Sequence, residues 1–175
     1  MVKMAEIVKC YRQEIPAVRF AGKCYGDEDR HDGGFGMQWD EWLQNGYFEP
    51  LEAALGDPKS LYEDGDAYLG LMRWKEGEPF QYWIGMFLPA GAAVPEGYGS
   101  VDFGAGTLGI CWLHGLDNDC FAQEDKGLGR LSEQGWEPLQ DKEGAIWFFE
   151  RYGCPRFTTP DADGKIILDL GYYVK

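Results

Sequence analysis

Read from the amino terminus, hydrophobic positions run as short extended stretches, shift to helical spacing and return to aromatic-rich runs. The same order then repeats. Ala5 to Tyr11 and Ala17 to Gly22 read as extended, interrupted by Gln13-Glu14-Ile15-Pro16, and Gly22 to Gly36 is a polar, glycine-rich loop. Trp39, Trp42 and Leu43 fall at helical spacing within Met37 to Asn45, and Gly46 stands where a left-handed cap would end that helix. Glu49 to Leu55 predicts a short second helix, and Gly56 to Asp66 a turn-rich connection around Asp57-Pro58. Ala67 to Trp74 and Phe80 to Leu88 are apolar runs around Lys75-Glu76-Gly77-Glu78, a hairpin signal. Pro89 to Gly106, rich in Gly, Pro and Ala, reads as the boundary between two repeats.

The second half follows the same plan. Thr107 to His114 predicts a strand, Gly115 to Asn118 a turn with Asn118 as helix cap, and Asp119 to Gln134 one helix closed by Gly135. Ala145 to Tyr152 and Lys165 to Val174 predict strands joined through the tight turn Asp161-Ala162-Asp163-Gly164. Three blocks match in order. Asn45-Gly46-Tyr47-Phe48-Glu49-Pro50-Leu51 is echoed by Gln134-Gly135-Trp136-Glu137-Pro138-Leu139. Ala67 to Trp74 is echoed by Ala145 to Tyr152, and Ile84 to Leu88 by Leu170 to Val174. In the middle block Met72 answers Glu150. The fold class expected is α+β: one domain of two pseudo-symmetric strand-helix-strand-strand repeats, about 1–97 and 98–175, sharing a mainly antiparallel sheet. Helices should cover one face, leaving the opposite face and the seam for a ligand.

Composition narrows the partners. Among 175 residues the formal charge is −14, which argues against a basic nucleic-acid footprint and against an anionic membrane surface. A cationic ligand would be steered toward such a surface, although acidity also serves solubility alone. Seven Trp, ten Tyr and ten Phe exceed what a minimal core needs, so some should line a pocket or interface. Five scattered cysteines without a Cys-x-x-Cys pair fit reduced thiols in the cytoplasm. No signal peptide and no bilayer-length apolar run is expected.

Glu150 carries the chemistry. Strand alternation puts Phe148, Glu150 and Tyr152 on one face and Trp147, Phe149 and Arg151 on the other. A carboxylate between two aromatics can receive a cation, or act as a general base once its pKa is raised by burial. A surface glutamate paired with Arg151 or Arg156 fits the sequence equally well. In Phe80 to Leu88, parity separates Tyr82 and Met86 from Trp83 and Phe87 without saying which face meets a ligand. Tyr172 and Tyr173 occupy the corresponding places in the repeat. Trp112 is the first tryptophan expected in the cleft, and Trp39 could reach it from a helix end. The acidic group Asp27, Glu28, Asp29, His31 and Asp32 lacks a metal-ligand spacing and reads as a solvated loop. Asp161-x-Asp163-Gly164 reads as a turn, and His114 as a local hydrogen-bonding residue. Neither metal nor cofactor is expected.

Three segments carry a resemblance: Thr107 to Gly115, Phe149-Glu150-Arg151-Tyr152, and Leu170 to Val174. In these, and in its overall plan, the chain resembles the GyrI-like small-molecule-binding domains, the effector-binding modules of regulators such as Rob and BmrR. The resemblance implies two strand-helix-strand-strand halves about a pseudo-twofold with a cleft between them, and a ligand-contacting glutamate at Glu150. It also implies a stand-alone member, since no helix-turn-helix segment precedes the domain, so that a regulatory role would need a separate regulator protein. The loop Gly22 to Gly36 and the tail Gly153 to Gly164 are longer than the family's minimal pattern. Three functions follow. The first is a binding protein for amphipathic, often cationic or planar compounds, with Glu150, Phe148, Tyr152, Trp112, Tyr82, Trp83, Phe87, Tyr172 and Trp39 as ligand contacts. The second is a hydrolase opening cyclopropane rings of DNA-alkylating natural products, with Glu150 as base and Tyr152 or Tyr172 assisting. The third is a protein-interaction module similar to a gyrase modulator.

Overall fold

A computed structural model describes residues 4–57 and 61–175. Eight strands form one antiparallel sheet: β1 (Glu6–Ile15), β2 (Val18–Tyr25), β3 (Tyr68–Trp74), β4 (Gln81–Pro89), β5 (Gly99–Phe103), β6 (Gly106–Gly115), β7 (Ile146–Tyr152) and β8 (Ile166–Val174). Among the described residues four α-helices complete it: α1 (Gly36–Asn45), α2 (Glu49–Leu55), α3 (Asp117–Ala122) and α4 (Glu124–Glu133). The strand order is β1-β6-β8-β7-β3-β4-β2-β5, so the two halves meet at the β7–β3 pair. The α+β class, the antiparallel sheet and the helices on one face are as expected.

Two short connections shape the sheet. β1 and β2 stand six places apart in the order, yet only Pro16 and Ala17 separate Ile15 from Val18. In a flat sheet six spacings of about 4.8 Å would part them by about 29 Å. Three residue steps reach only about 10 Å. β5 and β6, also six places apart, are joined as briefly between Phe103 and Gly106. The sheet therefore curls until its ends approach each other, and its concave face closes on itself. That face is a core of Ile15, Val18, Phe20, Leu69, Leu71, Phe87, Leu108, Ile110 and Phe149, drawn from six strands. The face opposite the helices is thus packed at its centre, contrary to the sequence expectation, and opens at its rim near Phe103, Trp147 and Tyr173, while the seam on the helix side is open.

The convex face carries the helices in two separate layers. Trp42, Phe48, Leu51 and Leu55 of α1, α2 and their junction pack on Met72, Ile84, Met86 and Leu88. Cys120 and Leu131 of α3 and α4 pack on the second half of the sheet. Gly46 ends α1 in the left-handed conformation (φ 67°, ψ 33°), and its N–H bonds the Trp42 carbonyl. The expected single helix over Asp119 to Gln134 is instead broken at Gln123, whose ψ of 25° with φ −122° is not helical. Leu116, not Asn118, stands at the start of α3. Beyond the break α4 lies close on β8, where a side chain at Gly127 would meet Leu170.

Two further differences concern the edges. Pro89 to Gly106, expected to be a plain connection, contains β5, which pairs with β2 of the first half. β1 pairs with β6 of the second half. Each half thus borrows its outer strand from the chain segment preceding the other half. All five cysteines are free. No helix among the described residues is long and apolar enough to cross a membrane.

A charged cluster ties loops to one end of the concave face. Asp169, fully buried on β8, accepts from Arg151 Nε at 2.8 Å and from Arg156 Nε at 2.9 Å. Arg156 also grips Asp64 at 2.9 and 3.0 Å, and Arg151 reaches Gln13 Oε1 and the Tyr11 hydroxyl at 2.8 and 2.9 Å. Two arginines and two aspartates make the cluster formally neutral, which offsets much of the cost of burying it. It fastens the Asp64 loop and the Arg156 loop, the segments that enter β3 and leave β7. Asp169→Asn should lower the unfolding free energy by about 3 kcal/mol in chemical denaturation, since it leaves two guanidiniums without their shared carboxylate. A change below about 1 kcal/mol would show that the cluster does not anchor the fold.

Candidate functional site

The open groove runs along the seam between the two helix layers, and Glu150 lies beneath it. Strand alternation aims Phe148, Glu150 and Tyr152 at the convex face, as the sequence predicts, while Arg151 takes the concave one. Glu150 is 5% exposed, which removes the reading of a surface glutamate paired with Arg151 or Arg156; both arginines are committed to Asp169. The Tyr82 hydroxyl donates to Glu150 Oε1 at 2.6 Å, and Trp39 Nε1–H donates to the Tyr82 oxygen at 2.9 Å. Phe35 stacks on Tyr82 with centroids 4.2 Å apart, fixing the ring that carries the donor.

Room for this arrangement comes from a missing side chain. Gly70 faces Glu150 across the β3–β7 ladder. A Cβ there would collide with the Tyr82 hydroxyl and lie 2.6 Å from Glu150 Oε1. The ladders also sharpen the repeat: Leu69 faces Gly85 in the first half, and Phe149 faces Gly171 in the second. With the two glycines equivalent, Phe149 answers Leu69 and Glu150 answers Gly70. The block comparison, which pairs Met72 with Glu150, is therefore displaced by two residues. Met72 itself is buried against Phe148 and Tyr82.

A second carboxyl completes the floor. Glu124, at the start of α4, lies near enough to Glu150 for the two carboxyls to influence each other. Burial, then the neighbouring Glu150 charge, push the Glu124 carboxyl up to about 11. Burial holds the Tyr152 hydroxyl neutral well above the usual phenol range, with the Glu150 charge adding to it. Burial likewise raises Tyr82, with the Glu150 charge adding to it. The site thus sets Glu150 and a neutral Glu124 carboxyl beside two neutral phenols and one indole. Sequence reading placed Glu124 inside a single helix over Asp119 to Gln134 and gave it no role in the site. The available signal was its spacing: it heads the stripe Gly127, Leu128 and Leu131, which packs on the sheet.

Above this floor is a cavity of about 900 Å³. α1 contributes Trp39, Asp40 and Leu43, and α2 contributes Glu52 and Leu55. Asp66 and Tyr68 enter with β3, Asp117 and Phe121 with α3, and Cys154, Phe157 and Thr158 follow Tyr152. Tyr152 packs edge-on against Trp39 and Phe157, each with centroids 4.7 Å away. Tyr68 stacks on Phe48 at 3.6 Å and donates to Glu52 Oε1 at 2.7 Å. Four carboxylates line the cavity, and no lysine, arginine or histidine does, among the described residues. A volume near 900 Å³ suits a large drug-sized molecule. A second cavity of about 660 Å³ lies near Phe103, Trp147 and Tyr173. Its charges are largely spent within the protein: Arg73 on Glu78 and Glu143, Asp102 on Arg19, Asp141 on Trp147.

Of the residues expected to contact a ligand, Glu150, Tyr82, Tyr152, Phe148 and Trp39 come together on this face. Trp83, Phe87 and Trp112 do not. They point into the concave core, where Phe87 packs on Phe20 and Phe149, and Trp112 lies under Arg156 at 4.6 Å. The curl of the sheet, which parity could not reveal, assigns them there. Tyr172 shares the convex face but is buried under α4, its hydroxyl donating to the Trp136 carbonyl at 2.8 Å. The Asp27–Asp29 segment is a 3-10 turn closed by Asp29 and by an Arg30–Asp27 pair. His114 bonds Asp161 at 2.8 Å, and Asp161 closes the predicted turn through the Asp163 and Lys165 amides.

No protein-family profile matches the chain, and no curated protein matches it in sequence. Solved structures share its fold. A candidate bacterial transcription regulation protein from Staphylococcus aureus MU50 aligns at 16% identity over 95% of this chain and 98% of its own, with a TM-score of 0.62. SAV2435 bound to tetraphenylphosphonium aligns at 16% identity over 96% and 94%, with a TM-score of 0.66. EcmrR, in a complex with DNA, aligns at 12% identity over 95% of this chain and 57% of its own, with a TM-score of 0.57. The chain shares its fold with these structures, in keeping with the fold that the sequence resemblance implies.

Two outcomes test the floor of the site. Gly70→Ala should lower the unfolding free energy by about 2 kcal/mol, because a buried methyl displaces the Tyr82–Glu150 hydrogen bond; an unchanged denaturation midpoint would refute that packing. The Glu124 carboxyl is raised from 4.5 to about 11, so the folded chain keeps a proton that the unfolded chain releases. That stabilising contribution is full below pH 4.5 and is lost progressively as pH rises toward 11. Glu124→Gln keeps a neutral donor beside Glu150. Its unfolding free energy relative to the native chain should therefore climb between about pH 5 and pH 9, by about 1 kcal/mol or more. A pH-independent difference would mean that Glu124 is ionised.

Proposed function

We propose that this protein binds amphipathic aromatic cations in the convex-face cavity, with Glu150 supplying the charge and Trp39 and Tyr152 the aromatic walls. The observation that carries the reading is the composition of that one cavity. It is aromatic and acidic, free of basic side chains among the described residues, and its wall residue Trp39 connects through the Tyr82 hydroxyl to the buried Glu150. A cation there gains from ring quadrupoles and from carboxylates in a partly desolvated place. Supporting it, SAV2435 has the same fold and was solved with tetraphenylphosphonium, a large aromatic cation. The likeness to a candidate transcription regulation protein and to EcmrR supports a ligand-sensing role. With a formal charge of −14, contacts to DNA would belong to a separate regulator protein.

The geometry favours binding over turnover. A ring-opening hydrolase would need Glu150 free to activate water and a phenol free to assist. Glu150 is 5% exposed and takes the Tyr82 hydroxyl, and Tyr172 is spent on the Trp136 carbonyl. Tyr152 alone of the proposed catalytic phenols borders the cavity.

Titration with tetraphenylphosphonium should quench tryptophan fluorescence, because Trp39 lines the cavity. Glu150→Gln should weaken that cation by roughly tenfold, about 1.4 kcal/mol, and a neutral triphenyl compound by much less. Equal losses for both ligands would remove Glu150 from charge recognition. The absence of any saturable quenching would remove the binding reading.

A further inference from the structure

Of the five cysteines, the cavity takes only Cys154. Two of the others meet across the sheet. Cys10 on β1 and Cys111 on β6 are direct partners in the antiparallel ladder. Direct partners share a face. Both turn to the convex side, where Cys10 packs against the cluster of Cys111, Leu131, Tyr172 and Val174 beneath α4. Facing residues of an antiparallel pair have Cα atoms about 4.5 or 5.5 Å apart and Cβ atoms about 4.5–5.5 Å apart. A disulfide takes Cα separations of about 4.4–6.8 Å and Cβ separations of about 3.5–4.5 Å. The Cα geometry already fits, and the Cβ atoms need to close by about 1 Å. β1 can supply that movement, because it is the end strand of the sheet and pairs with β6 alone. The other three cysteines stand elsewhere: Cys24 faces Trp83 on β4, Cys120 lies on α3 against the Leu113 carbonyl, and Cys154 follows β7. Access separates the two ladder thiols. Cys10 is half-buried, whereas Cys111 is fully buried and covered by α4, where a Cβ at Gly127 would lie 3.5 Å from its Sγ. Burial, then the charge Cys10 would carry beside it, hold the Cys111 thiol above the usual thiol range.

We propose that Cys10 and Cys111 form a thiol pair that hydrogen peroxide oxidises to a reversible cross-strand disulfide. The inference is independent of the binding reading above. Cys10 reacts first, because it is the thiol that solvent reaches. Its thiolate attacks one peroxide oxygen and the O–O bond breaks. Hydroxide leaves and takes up a proton as water, and Cys10 becomes a sulfenic acid. The Cys111 sulfur then attacks the Cys10 sulfur. The S–O bond breaks as the S–S bond forms, and the Cys111 proton leaves with the hydroxyl as a second water. The pair of thiols gives up two electrons, and one peroxide becomes two waters. A thiol kept protonated by burial is a poor partner for a dissolved oxidant, yet it serves for a sulfenic sulfur held opposite it. That fixes the order. β1 is also the strand that the first half lends to the second, held to the sheet along one side only. The bond clamps it to β6 and closes the chain into a loop from Cys10 to Cys111, which restricts the unfolded state.

The test treats the folded full chain with hydrogen peroxide, alkylates the remaining thiols in denaturant and maps the peptides by mass spectrometry. Cys24→Ser with Cys154→Ser removes the two exposed thiols and with them the links between molecules. The expected product is a monomer lighter by two hydrogens, whose digest joins the Cys10 peptide to the Cys111 peptide. Its denaturation midpoint should rise, and dithiothreitol should return it to the starting value. Adding Cys111→Ser should let peroxide carry Cys10 on to sulfinic and sulfonic acids. Adding Cys10→Ser should leave Cys111 open to alkylation. Over-oxidised Cys10 beside an unreacted Cys111 would overturn the pairing. So would recovery of both thiols intact, or a link from either one to Cys120. Oxidation of Cys111 at an undiminished rate in Cys10→Ser would overturn the order of the steps. The native chain, mapped in the same way, must yield the same joined peptides, so a variant that failed to fold would not shield the proposal.

Discussion

Two connections of two residues each control this architecture. Pro16-Ala17 and Gly104-Ala105 join strands that stand six places apart in the sheet. Neither can be satisfied by a flat sheet, so the concave side must close over its own side chains. Everything else follows from that closure. The aromatic surplus divides: Phe20, Phe87, Phe149, Trp83 and Trp112 fill or border the interior, and Trp39, Tyr68, Phe121 and Tyr152 remain for the outside. The helices then have only the convex face to cover. Because each helix pair belongs to one half, they leave a trough along the line where the halves join. The ligand site is the gap between two coverings, not a hole in the core.

How far the sequence discloses this depends on the range of the interaction. Local signals sufficed for elements: the Gly46 cap, the Glu49–Leu55 helix and the paired strands of each repeat all appear where periodicity and turn chemistry put them. Parity correctly set Glu150 apart from Arg151. What parity cannot supply is the sign of a face, since alternation looks the same whether the apolar side is a curled interior or a cleft. Trp112, Trp83 and Phe87 were therefore assigned to a cleft, although the closure places them in the core. β5 escaped notice for a related reason: a five-residue edge strand with an exposed Ser100 and Asp102 carries little apolar pattern. Glu124 is the instructive omission. Glu150 lies on a different element of the same half, far along the chain, so nothing near Glu124 in sequence links the two; only its place at the head of a packing stripe sets it apart.

The electrostatics of the two faces differ in kind. On the concave side, charge is neutralised internally, with Arg151 and Arg156 shared between Asp169 and Asp64. Such a cluster has no need of a ligand and fastens the loops on either side of the cavity. On the convex side no basic side chain lines the cavity among the described residues. Glu150 is met by the Tyr82 hydroxyl, Glu124 is kept neutral by burial and by the Glu150 charge, and four carboxylates line the cavity wall. A closed protein ordinarily pairs its buried charges. The place where this one does not is where a charge from outside would be accepted.

The duplication explains why that place is asymmetric. Two halves that meet through an antiparallel strand pair put equivalent positions directly opposite each other along the joining axis. In the frame set by Gly85 and Gly171, Gly70 and Glu150 are equivalent and are also cross-strand partners. Two glutamates there would set like charges face to face in the same space, which cross-strand geometry penalises. Two glycines would leave a void with no chemistry. One of each lets a single carboxylate lie over the bare backbone of the other strand, with the Tyr82 hydroxyl filling the remainder. The second acid must then come from outside the ladder, and α4 delivers it because the break at Gln123 starts a new helix at Glu124. A perfectly repeated shell could not carry such a site on its own axis; the departure from symmetry at Gly70 and Glu150 is the condition for having one.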